Sequence, residues 1–123
     1  MAKTVQKRSS ASPDESRPFA GKGKADLFQF GDHAVGIGSF ETGWKWSEHV
    51  KPIAQTDSCQ SPHFAYVISG RMRIKGDDGS DEEFGPGDIM QVAPGHDAWV
   101  VGNETCRIVD FAISPSYASA KKG

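Results

Sequence analysis

Residues 43–70 read GWKWSEHVKPIAQTDSCQSPHFAYVISG, and residues 85–103 read GPGDIMQVAPGHDAWVVGN. Together they hold three of the four histidines, all three tryptophans and one of the two cysteines. Around them the chain breaks into short alternating runs. In HFAYVIS, His63, Ala65 and Val67 share one strand face, and Phe64, Tyr66 and Ile68 share the other. In RMRIKG, Met72 and Ile74 alternate with Arg71, Arg73 and Lys75, so one face is buried and one is wet. ADLFQF, HAVGIGSF, WKWSEHV, DEEF, DIMQVA, AWVV and TCRIVDFA read as further strands. Asp77-Asp78-Gly79 is a hairpin turn, because Asp-Gly tolerates positive φ. Gly85-Pro86-Gly87-Asp88 and Pro94-Gly95 punctuate the rest. No run of ten or more residues has a helical period. The pattern predicts an all-β sandwich or barrel.

A length of 123 residues sets one domain. Residues 1–24 carry six Lys/Arg and two acids, are rich in Ser, Pro and Gly, and read as a flexible N-terminal arm, with Pro18 and Phe19 as a pinning point. Residues 25–113 form the barrel, and residues 114–123 read as a frayed tail. Beyond residue 24 the chain has eight Lys/Arg and fourteen acids, a net charge of −6, which argues against a nucleic-acid partner. No stretch approaches the roughly 20 apolar residues of a membrane span. The N-terminus has charge but no apolar run, so a cytoplasmic protein with reduced thiols is expected. Cys106 sits in a strand and reads as a small core residue; Cys59 lies in a polar loop four residues before His63.

The two quoted stretches resemble the paired motifs of the cupins, small jelly-roll β-barrels. The first cupin motif is Gly, five residues, His-x-His, a gap, Glu, six residues and Gly. The second is Gly, five residues, Pro-x-Gly, two residues, His, three residues and Asn. Here Gly43 is followed after five residues by His49, Lys51 stands in place of the second His, and His63 stands in place of the Glu, six residues before Gly70. The gap is eleven residues long and contains Cys59. Gly87, Pro94, Gly95 and Asn103 match the second motif with small register shifts; Ala98 replaces its His, and His96 lies two residues earlier. The resemblance covers roughly residues 26–112. It implies an all-β, single-domain jelly-roll β-barrel. It also implies a site at the barrel mouth, and a homodimer through an outer sheet or an exchanged N-terminal strand.

Within that frame His49, Cys59, His63 and His96 are the candidate metal ligands. Imidazoles with a thiolate favour a borderline-soft divalent metal, with zinc the first choice and iron, copper or nickel behind it. Each histidine taken alone also fits a plain hydrogen-bonded role. Lys51 and Tyr66 are candidate acid/base groups. Trp44, Trp46, Phe64 and Trp99 are candidate ligand-contacting rings, although such rings also fill cores. Two functions follow. One is a metal-binding cupin that takes a small polar ligand, its reaction unassigned. The other is a non-catalytic ligand-binding or sensor module without metal. A purely structural metal that ties the residue 57–62 loop to the barrel is a third possibility.

Overall fold

The computed structural model describes residues 4–113 and Tyr117. Nine strands follow one another: β1 (Glu15–Pro18), β2 (Gly23–Phe30), β3 (His33–Phe40), β4 (His63–Ser69), β5 (Arg71–Gly76), β6 (Asp81–Phe84), β7 (Ile89–Val92), β8 (His96–Val101) and β9 (Cys106–Asp110). Two helical turns, α1 (Trp46–His49) and α2 (Lys51–Ala54), lie between β3 and β4. One antiparallel sheet has the order β1-β2-β3-β9-β4-β7, and a second has the order β6-β5-β8. They stack across one core rather than closing into a single hydrogen-bonded ring. This is the jelly-roll architecture expected from the sequence.

Alternation decides which side chains enter the core. Ala65 and Val67 of β4, Met72 and Ile74 of β5, Met90 of β7, Ala98 and Val100 of β8, and Cys106 and Ile108 of β9 are all buried. Gly70 carries the chain from one sheet to the other. Its φ is +72°, and a Cβ there would lie 2.5 Å from the Cys106 Cα. Only glycine fits the crossing. The Asp77-Asp78-Gly79 turn forms as read, with φ +94° at Gly79. There Asp78 Oδ1 accepts bonds from the Ser80 N–H and hydroxyl.

Two expectations need correction. WKWSEHV is not a strand. The amide of His49 bonds the Lys45 carbonyl at 2.8 Å and that of Val50 bonds the Trp46 carbonyl at 2.9 Å, which winds this run into α1. Trp46 and Val50, four residues apart, are both buried. Pro52 sits in the first turn of α2, where its missing N–H leaves no bond unmade. The flexible arm of residues 1–24 is also too long. Residues 15–18 pair with β2, and Phe19 is buried, its ring 5.4 Å from Phe40 and 5.7 Å from Trp44. One aromatic anchor after an edge strand suffices to order this segment, and Pro18 is tolerated because β1 is an edge. The barrel therefore starts before Ala25. Most of the frayed tail, residues 114–123, lies outside the described residues; Tyr117 is described and is buried.

Candidate metal centre

Cys59, His63 and His96 come together at one end of the core. His63 opens β4 on the face that also carries Ala65 and Val67. His96 opens β8 on the face that carries Ala98. Cys59 belongs to no strand, but it forms a two-way bridge with His96. The Cys59 amide bonds the His96 carbonyl at 2.7 Å, and the Gly95 amide bonds the Cys59 carbonyl at 2.7 Å. This stitches the polar loop to the edge of β8 and holds the thiol inside. One potential ligand atom from each of the three residues lies within 4.8 Å of the other two.

The imidazoles are oriented from behind. His63 Nδ1 lies 2.6 Å from Asp110 Oδ2, and His96 Nδ1 lies 2.8 Å from the Ala93 carbonyl oxygen. A carboxylate and a carbonyl accept only, so both Nδ1 atoms carry the proton and donate. In the neutral rings Nε2 then carries the lone pair. Carboxylate and carbonyl partners of this kind fix ligating histidines in metal sites. Asp110 is itself held by the backbone amides of Ala112 at 2.9 Å and Phe64 at 3.4 Å. The Cys59 sulfur is 3.8 Å from His63 Nε2, and the two imidazole centroids are 5.4 Å apart.

The group is strongly polarised. Burial pushes the Cys59 thiol up, but hydrogen bonds and charge from His63 and His96 outweigh it and bring it down to about 6. Burial pushes His63 down, but Asp110 and then Cys59 outweigh it and lift it to about 9. Cys106 shows the contrast. With no such partner, burial pushes it up to about 12. Only Cys59 is a ready thiolate. Tyr117 packs edge-on against His63 at 5.2 Å, and burial raises its hydroxyl well above the usual range.

A cavity of about 50 Å³ adjoins the group. Trp44 and Trp46 line it. The other proposed residues lie elsewhere. His49 is on α1, not β; its Nδ1 accepts the Lys45 amide at 3.0 Å, and it is outside the ligand group. Lys51 opens α2 and is not among the described lining residues. Phe64 and Tyr66 point outward and are exposed, because His63 and Ala65 take the inward face of the same strand. Trp99 alternates with the inward Ala98, and the Lys45 ammonium sits 5.6 Å from the centre of its ring. Away from Cys59, His63, His96 and Asp110 the cavity wall is mostly apolar, and the buried indole N–H groups of Trp44 and Trp46 have no hydrogen-bond partner among the described residues. Asp110 and Tyr117 were missed. Asp110 had a signal, since Cys106, Ile108 and Asp110 share one strand face. Tyr117 had none.

The fold is of the cupin type. Solved structures agree. An RmlC-like cupin from Shewanella frigidimarina is similar over 94% of this chain and 98% of its own, with 15% identity and a TM-score of 0.62. The polyketide cyclase RemF from Streptomyces resistomycificus covers 89% and 80%, with 20% identity and a TM-score of 0.60. A sugar phosphate isomerase from a cupin superfamily, from Silicibacter pomeroyi, covers 85% and 73%, with 17% identity and a TM-score of 0.60. No protein-family model and no curated protein matches the sequence. The chain has the cupin fold; identities this low carry the fold alone.

Proposed function

We propose that this protein is a metal-binding cupin in which Cys59, His63 and His96 hold one divalent ion, zinc first, with a fourth position open to the apolar cavity. The observation that carries the reading is the donor set. Two imidazoles have their Nδ1 protons already committed, and a thiol of lowered pKa stands beside them. One thiolate and two imidazoles suit zinc, with iron, copper or nickel as softer or redox-active alternatives. Three protein ligands are the number that catalytic zinc sites use. When bound, the ion supplies Lewis acidity. Asp110 fixes the His63 ring, and the apolar wall keeps bulk water out. The size of the cavity argues against carrying over the sugar phosphate chemistry of the Silicibacter protein. Protein purified without a histidine tag is expected to hold about one equivalent of metal per chain, and Cys59→Ala to hold almost none. Absence of metal from the unmodified protein, after growth with added zinc and iron, would leave the alternative of a metal-free ligand-binding module. The 3.8 Å contact of Cys59 with His63 favours that second reading, since it lets the pair satisfy itself.

The proposal includes a homodimer in the cytoplasm. Free, buried Cys59 and Cys106 suit a reducing compartment. Phe64, Tyr66, Ile68, Ile89 and Phe111 lie between 43% and 68% exposed. Tyr66 pairs with Ile89 across β4 and β7, and Phe111 bonds the Phe64 carbonyl, so much of this surface is one patch on the outer sheet. At roughly half the area of five large side chains it presents on the order of 500 Å², at the upper end for a monomer. A patch of this kind can meet its own copy across a two-fold axis. Light scattering is expected to give a dimer mass, and Tyr66→Lys a monomer mass with metal content unchanged. A monomer at all concentrations would remove the dimer without touching the metal reading.

A further inference from the structure

Resting on the metal centre proposed above, we infer that the ligand taken at its open position is compact and mostly apolar: a neutral or singly anionic molecule of about two to four non-hydrogen atoms that offers one donor atom to the ion. The limit comes from the void. It measures about 50 Å³. A water-sized group needs roughly 10–15 Å³ of such space, so the void takes about three to five, and the ion uses one. Ligands of drug size need several hundred cubic ångströms.

The chemistry comes from the wall. Away from the metal end, Ala65, Met72, Ile74, Met90, Ala98 and Ile108 make the wall apolar; Trp44 and Trp46 also line it, and their buried indole N–H groups have no hydrogen-bond partner among the described residues. No lysine or arginine is among the described lining residues. A second negative charge would be buried with no lysine or arginine beside it among the described lining residues, and the ion's charge is already offset by the Cys59 thiolate and Asp110. This excludes phosphate esters, nucleotides and dicarboxylates. The wall has little slack at β3. A Cβ at Gly36 would strike the Ile113 side chain, and one at Gly38 would strike the Phe40 ring.

Cobalt(II)-loaded protein separates this inference from the metal reading. A thiolate-to-cobalt charge-transfer band reports the ion on Cys59, and the visible bands report its open position. Azide, acetate, butyrate, benzoate and succinate are titrated in turn. Azide and acetate are expected to shift the visible bands saturably. Butyrate is expected to bind at least about 10-fold more weakly than acetate. Benzoate and succinate are expected to leave the bands unchanged. Met72→Ala widens the void and is expected to bring butyrate to within about 3-fold of acetate. A missing charge-transfer band would remove the metal centre and this inference with it. A normal band with no response to azide and acetate, or with equal responses to all five probes, overturns the inference alone. So does a chain-length preference that Met72→Ala leaves unmoved.

Discussion

His63→Ala is expected to lower metal affinity by more than about 100-fold, beyond the roughly 10- to 100-fold typical when only an orienting partner of a ligand is lost. The substitution removes one of three donors and leaves Cys59 and His96 on the bridged pair of the loop and β8. Two donors at one edge cannot enclose an ion. The barrel should remain folded. Asp110 keeps the amides of Ala112 and Phe64, so it is not stranded without partners. A stability loss of about 1.5–3 kcal/mol covers the charge-assisted hydrogen bond given up. Asp110→Asn makes the companion test. It keeps an acceptor for His63 Nδ1 but removes the charge, and it should cost about 10- to 100-fold. Chelator competition gives both affinities, and thermal melts give the stabilities. His63→Ala protein that binds metal as tightly as the parent would end the three-ligand reading.

The second large effect is on pH. Metal binding needs a thiolate and neutral imidazoles. In the metal-free protein Cys59, brought down to about 6, is already mostly ionised at neutral pH, while His63, lifted to about 9, still carries its extra proton. Taking up the ion therefore expels one proton from His63. Affinity should rise about tenfold per pH unit from roughly 6.5 to 9, level off above 9, and fall more steeply below 6, where Cys59 also holds a proton. An ordinary imidazole would reach its plateau near ~6.5 instead. Metal-free stability follows the same two groups. The raised pKa of His63 contributes stability that is full below 6.5 and lost as pH rises through about 9. The lowered pKa of Cys59 contributes stability present above 9.0 and lost as pH falls through about 6. Because one contribution falls over nearly the same range in which the other rises, the two largely cancel, and the metal-free melting temperature should change little between pH 6.5 and 9. Metal affinity that is flat from pH 7 to 9 would contradict the charge state assigned to His63.

The β architecture was legible because strand alternation and turn chemistry are local. RMRIKG and the Asp78-Gly79 turn needed nothing distant to be read. WKWSEHV failed because Trp46 and Val50 at helical spacing were read with a period of two, and Pro52 was not used as a helix-start signal. That error displaced His49 from the site. The choice of Phe64 and Tyr66 went against the parity of their own strand, which sends them outward once His63 points in. Cys59 and His96 were both candidates, but the bridge that joins them is a backbone contact across 37 positions and has no local signature. Asp110 was readable as an acid on an inward strand face. Its pairing with His63 depended on β9 lying beside β4, which only the assembled sheet reveals.

The position of β9 between β3 and β4 also governs the order of events during synthesis. Gly36 pairs with Asp110, so the middle of the larger sheet stays open until the chain through β9 has left the ribosome. Contacts this distant in sequence make folding slow. The same late strand brings Asp110 to His63. A nascent chain ending before β9 has Cys59, His63 and His96 but lacks the carboxylate that orients His63. On the proposed metal reading, loading of the ion in its final geometry has to wait for β9 to complete the sheet.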